Sequence, residues 1–269
     1  MSCQMLEYVK SFIAFLFLIY FSILDLRTRN IPSRLVWFFL AISLTLMIIS
    51  IPNYTAYSIS EAMFYAAINA SLGPMLLYAL FKAKLIGDAD VIVVSSLTLL
   101  HPFPNIYDCV LINISAPVKL PPILLIILYA NLMVILYLPV NIVINIVKYG
   151  EFYKSIKTSF WKKVVLLAES RPVEAVRYLS MKHRYLLEDY KLTDGRLVKE
   201  VKLSFNILED YVAHRYVVEK LLNEGFLKPE DLVLTTYGIP FIVLLLLGYI
   251  VFLLVGDMPM LILLLKFFH

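Results

Sequence analysis

Charged residues are scarce in this chain. They make up 16% of its 269 residues, while hydrophobic residues make up 61%. A soluble domain of this size carries about 25% charged and 45–50% apolar residues. The excess apolar surface must therefore face lipid, which excludes an ordinary soluble protein and predicts a protein of the lipid bilayer.

Residues that commonly bind metals are also few. The two cysteines, Cys3 and Cys109, cannot supply the four thiolates of an all-cysteine zinc site. The four histidines show neither HExxH nor any other ligand spacing. We therefore expect a function that uses no metal and no other cofactor, and we expect no nucleic-acid partner.

Long apolar runs predict an all-α polytopic membrane protein. A spanning helix needs about 20 residues, and the first, second and fourth runs are expected to extend a turn or more into their flanks. The six predicted transmembrane helices cover residues 11–24, 35–51, 60–81, 90–101, 121–147 and 238–256.

One block of the chain is polar enough to be soluble. Residues 149–235 mix both signs of charge with apolar positions at helical spacing. We predict a small insertion domain of helices there, with room for one hairpin that turns at Asp194–Gly195. The domain follows helices one to five in residues 1–148 and precedes residues 236–269, which hold the last helix and a C-terminal tail.

The distribution of basic residues predicts an orientation. Of the 24 lysines and arginines, 16 lie between Lys148 and Lys228, and three more lie between the first two apolar runs. The connections on the opposite side are poor in basic residues. Because basic loops stay in the cytoplasm, we expect the soluble domain inside the cell and both termini outside.

Acidic residues beside a membrane are functional candidates by default, because an ionised carboxylate is costly there. Glu7 precedes the first apolar run and is set aside. Asp25, Asp88 and Asp90 fall at predicted cytoplasmic ends of helices. The acids at the opposite ends or loops are Glu61, Asp108 and Asp257.

Asp25 ends the first run and Asp90 begins the fourth, so the two aspartates lie at matching depth. If the two helices pack together, the carboxyl groups can meet, and both cannot ionise cheaply. The ionised group could activate water while the neutral one bonds the scissile carbonyl, as in an aspartic peptidase.

Charge placement alone leaves other interpretations open. The same acids could pair with nearby arginines or lysines as interfacial anchors. They could instead serve as ion sites in a small transporter, although we find no pair of interrupted helices in corresponding halves of the chain. A non-catalytic membrane scaffold for pilus or flagellum assembly is the third alternative.

Two local motifs resemble those of type IV prepilin peptidases. Residues 24–32 read LDLRTRNIP and are similar to D-[LIF]-R-x-x-x-I-P, the stretch that follows the first helix of the family. Residues 87–90 read GDAD and are similar to G-x-G-D, in the looser archaeal form that replaces the second glycine. By this resemblance the chain looks like an archaeal class III signal peptidase, a preflagellin or prepilin peptidase.

The resemblance implies a membrane-embedded aspartic endopeptidase of the plasma membrane. Its substrates would be prepilin and preflagellin precursors with short basic signal peptides, cleaved at the cytoplasmic face. Asp25 and Asp90 would be catalytic. The supporting motif residues would be Arg27, Pro32, Gly87, Asp88 and Ala89. Bacterial relatives that also methylate carry a cysteine tetrad, which this chain lacks, so we predict no methyltransferase activity.

The second motif departs from the family pattern in two ways. Ile92 stands where a lysine usually follows the motif aspartate, and Asp88 occupies the variable position. A register that used Asp88 would require glycine where the chain has Leu85. We therefore predict that Asp90 is catalytic and that Asp88 binds a positive charge of the substrate or favours a proton on Asp90.

The remaining motif residues have expected structural roles. We expect Gly87 to let the backbone approach a neighbouring helix or an extended substrate, with Ala89 leaving further room. Pro32 should fix a rigid turn after the first helix. Arg27 should mark the cytoplasmic side or steer an acidic residue of the precursor.

Overall fold

We describe the fold from a computed structural model of the chain. It describes residues 3–54, 57–83, 86–112, 119–193, 196–203, 211–238, 240–259 and 262. The predicted turn at Asp194–Gly195 lies outside these residues. The helices are α1 Cys3–Thr28, α2 Ser33–Ser50, α3 Ile59–Ala70, α4 Leu76–Lys82, α5 Asp88–Leu100, α6 Pro122–Ser155, α7 Phe160–Glu169, α8 Ala175–Ser180, α9 Tyr211–Asn223 and α10 Phe241–Val255.

Every strand among the described residues lies in the C-terminal half of the chain. They are β1 Ser170–Glu174, β2 Arg184–Leu186, β3 Glu188–Thr193, β4 Arg196–Val201 and β5 Leu232–Tyr237. The chain divides into two compact units. Unit 1 comprises Met1–Val134 with Pro240–His269, and unit 2 comprises Ile135–Ile239.

Four helical stretches are long and apolar enough to cross a membrane. They are Gln4–Thr28, Ser33–Tyr54, Ile59–Lys82 and Pro122–Ser155. The predicted fourth and sixth spans fall on α5, with 13 residues, and on α10, with 15 residues. Both are shorter than the roughly 20 residues that a single helix needs to span. The protein is therefore a multi-pass membrane protein with four helices of spanning length in its described part.

Proline and an irregular residue interrupt two of these long helices. Pro74 lies in a π-helical segment, Ser71–Met75, that joins α3 to α4. Proline cannot donate the regular helical bond, so the local register widens. In α6, Tyr149 leaves helical geometry at φ −131° and kinks the helix. The kink follows the fifth predicted apolar run, residues 121–147.

The core of unit 1 surrounds α5. Val93, Val94, Leu97 and Leu100 of this helix are all buried, and α5 packs mainly against α2 while α1 packs against α10. The long helices instead expose large apolar side chains over much of their surface, as helices that face lipid do. A helix that is buried on several sides, as α5 is, has little surface for lipid.

Unit 2 corrects the expectation of an all-α protein. Its three-stranded antiparallel sheet has the order β1–β5–β2, and β3 pairs with β4 in a separate antiparallel hairpin. Helices α8 and α9 cover a buried cluster that includes Val173, Tyr178, Val218 and Val233. The chain is thus mostly helical, with a small mixed region inserted before α10.

Two asparagines join the end of α6 to the rest of unit 2. Asn141 donates to the carbonyl of Ala168 at 2.7 Å. Asn145 donates to the carbonyls of Leu167 and Ser170 at 2.8 and 2.7 Å. The last carbonyls of a helix lack partners within it, so these amides satisfy the C-terminal end of α7.

Candidate active site

Asp25 lies in the last full turn of α1. Its side chain is 14% exposed, and its Oδ1 is 3.9 Å from a guanidinium nitrogen of Arg29. The backbone N–H of Arg29 donates to the Asp25 carbonyl at 3.2 Å. Arg29 has a positive φ of 55°, which ends the helix in a left-handed turn. Asp25 is therefore a partly shielded carboxylate held at a helix end.

Asp90 lies in the first turn of α5 and is partly buried. Its Oδ2 accepts a hydrogen bond from the backbone N–H of Gly87 at 3.0 Å. The first N–H groups of a helix lack partners within it, so an acid in the third helical position can bond back to the capping residue. This bond fixes the carboxyl of Asp90 and leaves its other oxygen to act elsewhere.

We had two expectations for Gly87, and one was that the backbone there approaches a neighbouring helix. The described residues show no such contact. The Gly87 φ of −79° and ψ of 161° are open to any residue. Among the described residues, a Cβ built on Gly87 would meet only Oδ2 of Asp90, at an ordinary 3.5 Å. The neighbouring-helix explanation is therefore wrong, while room for an extended substrate stays a prediction. Ala89 is partly buried and packs against the unit 1 core.

Asp88 differs from Asp90 in its surroundings. It is exposed at the first position of α5, and its Oδ1 accepts a hydrogen bond from the backbone N–H of Ala89 at 2.9 Å. The carboxylates of Asp25 and Asp88 both lie close enough to repel charge on Asp90. Asp25, Asp88 and Asp90 therefore lie near one another at one end of α1 and α5, and Asp88 is the exposed member.

Arg27 and Pro32 flank this end of the fold. Both side chains are exposed. Pro32 stands immediately before α2 with φ −55° and ψ 123°, so it provides a stiff connection from α1 to α2. Arg27 lies in the last turn of α1, where a cation is favourable beside the helix C-terminus.

The chemistry available at this end is that of carboxyl groups. Among the described residues, no three His, Cys, Asp or Glu side chains come together in a way that could hold a metal ion. Two carboxyls that lie close together can move protons to and from water and a bound amide when one is protonated and the other ionised. The arrangement suits hydrolysis by general acid and base.

Sequence analysis missed a second group of ionisable residues. Glu7, which was set aside, forms a buried cluster with Lys10 and His101 at the other end of α1 and α5. The histidines were judged by ligand spacing alone, which says nothing about an ion pair. A glutamate three residues before a lysine was the available signal.

Two family models match separate parts of the chain. Residues 12–140 match the type IV leader peptidase family. Residues 162–258 match the archaeal peptidase A24 C-terminus, type II. No curated protein matches the chain.

The matched regions contain α1, α5 and most of unit 2, which carry the acids and the mixed insertion. The fold and the first family match define a membrane aspartic protease of the prepilin peptidase type. The chain belongs to the type IV leader peptidase family, in its archaeal prepilin and preflagellin peptidase branch. Its activity is the removal of signal peptides from prepilin-type precursors.

Proposed function

We propose that Asp25 and Asp90 form the catalytic dyad of this peptidase. The proposal rests on the position of Asp25 at the end of α1, near enough for its charge to act on Asp90 at the start of α5, and on the partial burial of both side chains. Two such carboxyls share one proton more easily than both ionise. The ionised member takes a proton from water, and the neutral member bonds the scissile carbonyl and protonates the leaving amine.

Asp90 suits this role better than Asp88. The Gly87 N–H fixes the Asp90 carboxyl in a partly buried position, whereas Asp88 is exposed and already bonds the Ala89 N–H. A partly buried, oriented acid is placed to share a proton with Asp25, and an exposed acid is placed to meet the substrate. Asp88 therefore attracts the positive charge of a short basic signal peptide and helps to keep the proton on the dyad.

The proposed dyad lies at the cytoplasmic face, and the chain crosses the membrane six times with both termini outside. The basic residues beside Asp25 and the lysines of unit 2 favour this side under the positive-inside rule. At 1.5 Å per residue, α5 would be a helix of about 20 Å. This is short for a helix that crosses a membrane. Its burial among other helices supports the crossing, because its short ends need not face lipid.

The test is cleavage of a short-leader prepilin in membranes that carry the wild type, Asp25→Asn, Asp90→Asn or Asp88→Asn. A general acid or base contributes about 10²–10⁴-fold in rate. Asp25→Asn and Asp90→Asn should therefore leave the precursor at its full size. Asp88→Asn is the matched control and should still cut. An active Asp90→Asn beside a dead Asp88→Asn would move the site to Asp88, and three active variants would end the dyad proposal.

A further inference from the structure

A buried ionic cluster joins α1 to α5 at the ends of these helices that lie away from Asp25 and Asp90. Its ionisable members are Glu7, Lys10 and His101, which are 2%, 0% and 1% exposed. Glu7 and Lys10 belong to α1, and His101 caps the C-terminal end of α5. The proposed dyad does not use any of them.

Lys10 makes short hydrogen bonds in the cluster, and the contact between His101 and Glu7 is longer. Lys10 Nζ lies 2.8 Å from Glu7 Oε1 and donates to the Tyr54 hydroxyl at 2.7 Å. His101 Nδ1 lies 3.6 Å from Glu7 Oε2. On the other side of the ring, His101 Nε2 is 3.1 Å from the Tyr249 hydroxyl of α10. Glu7 thus pairs with a cation of its own helix and with the imidazole of α5.

Hydrophobic side chains of the same size would fill this space at lower cost. Burial of charges carries a desolvation penalty that a pair repays only with good geometry, and the best-attested use of such pairs is to fix the register of packed elements. Ionisable residues in membrane segments are functional candidates for the same reason. The cluster therefore calls for a role in how α1 and α5 align.

The cluster is remote from the proposed chemistry. Glu7 precedes Asp25 by 18 positions on α1, which is about 27 Å at 1.5 Å per residue. His101 follows Asp90 by 11 positions along α5, which is about 16 Å. None of its side chains can touch a substrate at the dyad. An effect on the reaction must pass through the positions of the two helices.

We propose that the Glu7–His101 contact sets the register of α1 against α5 and so positions Asp25 opposite Asp90. The inference rests on the proposed dyad. Lys10 neutralises Glu7, and Tyr249 holds the other edge of the imidazole ring. Because a displacement of about 1 Å can cost about 100-fold in rate, a loosened register lowers the chemical step more than it lowers substrate binding.

The test compares purified His101→Leu with Tyr54→Phe in a prepilin cleavage assay, with thermal unfolding of both proteins. His101→Leu removes the link between α1 and α5 but keeps the Glu7–Lys10 pair. Tyr54→Phe removes a partly buried hydrogen bond to the same lysine from a residue outside both helices. We expect His101→Leu to lower kcat by about tenfold or more while KM stays within about twofold, and Tyr54→Phe to keep the wild-type kcat.

A second variant keeps the test decisive if His101→Leu does not fold. Glu7→Gln retains the shape of the side chain but loses the charge that faces His101, so it should also lower kcat and leave KM unchanged. A folded His101→Leu or Glu7→Gln protein with wild-type kcat would overturn the proposal. The proposal would also be overturned if Tyr54→Phe lowered kcat by the same factor with an equal loss of stability.

Asp25→Asn and Asp90→Asn run in the same assay separate the two proposals. If both cut like the wild type, the dyad itself is wrong. If both are dead while His101→Leu is fully active, the dyad holds and only the positioning role fails.

Discussion

Gly248 in α10 is the position where one added methyl group should disturb the membrane unit most. A Cβ built there would lie 2.4 Å from the carbonyl oxygen of Ile126 and 2.7 Å from the backbone nitrogen of Ala130. Both are backbone atoms of α6, so no side chain can move aside. Ordinary contact begins near 3.4 Å, so α10 and α6 would have to separate by about 1 Å.

The expected cost follows from two opposing effects. Overpacking of a well-packed core costs about 1–3 kcal/mol, while alanine in place of glycine within a helix gains about 0.5–1 kcal/mol. Gly248→Ala should therefore lose up to about 2.5 kcal/mol of stability after the propensity gain. Gly150 in α6 is the matched control, because a Cβ there would meet nothing within 4 Å.

The assay is thermal unfolding of the purified proteins in one detergent, monitored by circular dichroism. Gly248→Ala should unfold at a lower temperature than the wild type, and Gly150→Ala at the same or a higher temperature. A Gly248→Ala protein as stable as the wild type would refute the inferred helix contact. Equal losses of stability in both variants would show that the effect comes from replacing a glycine as such and not from the packing of α10 on α6.

Two further predictions concern orientation and unit 2. The first uses Lys182→Cys, an exposed position, in a protein whose Cys3 and Cys109 are replaced by serine. An impermeant maleimide should label this cysteine in inverted vesicles but not in intact cells. Labelling in intact cells would reverse the proposed topology. Burial raises the pKa of Glu188 although Lys199 lies 2.7 Å away. Because a raised folded-state pKa favours the protonated form, this group stabilises the fold at low pH and that stability is lost as pH rises through the raised value. Glu188→Gln should therefore gain stability relative to the wild type as pH rises from about 4 to about 7, and parallel pH curves for the two proteins would contradict this.

The helices of unit 1 could be predicted because lipid imposes a simple rule on them. Apolar runs at 60–81 and 90–101 correspond to Ile59–Lys82 and to α5. Asp25 and Asp90 stand at helix ends, where hydropathy changes, so their location followed from the same pattern. The shortness of α5 and α10 did not follow from the hydropathy pattern. Hydropathy counts apolar residues and does not show which helices are shielded from lipid by other helices.

The sheet of unit 2 could not be predicted from alternation or composition. β1 contains Pro172, which normally argues against a strand, but β1 is an edge strand whose proline needs no ladder partner on its outer side. β2 has three residues, too few to show a period. Tertiary packing on β5 selects these strands. Gly225, by contrast, was predictable as a helix cap, and it follows α9 with φ +76°.

By its position alone, Lys10 counts as a basic residue of the N-terminal end under the positive-inside rule. In the fold this lysine is fully buried between Glu7 and Tyr54. A buried ion pair depends on residues that are distant in sequence, since His101 and Tyr249 complete the cluster. Charge counts along a single sequence do not reveal such partners. Lys10 should therefore carry no weight in the orientation of the chain.

The most direct test of the account is the single-turnover cleavage rate of purified Asp90→Asn protein beside Asp88→Asn, on one prepilin substrate. Thermal unfolding must first show that both variants are folded. The proposed dyad predicts a loss of about 10²–10⁴-fold for Asp90→Asn, a comparable loss for Asp25→Asn, and continued cleavage by Asp88→Asn. A folded Asp90→Asn protein that cuts at the wild-type rate would contradict the assignment of Asp90 to catalysis.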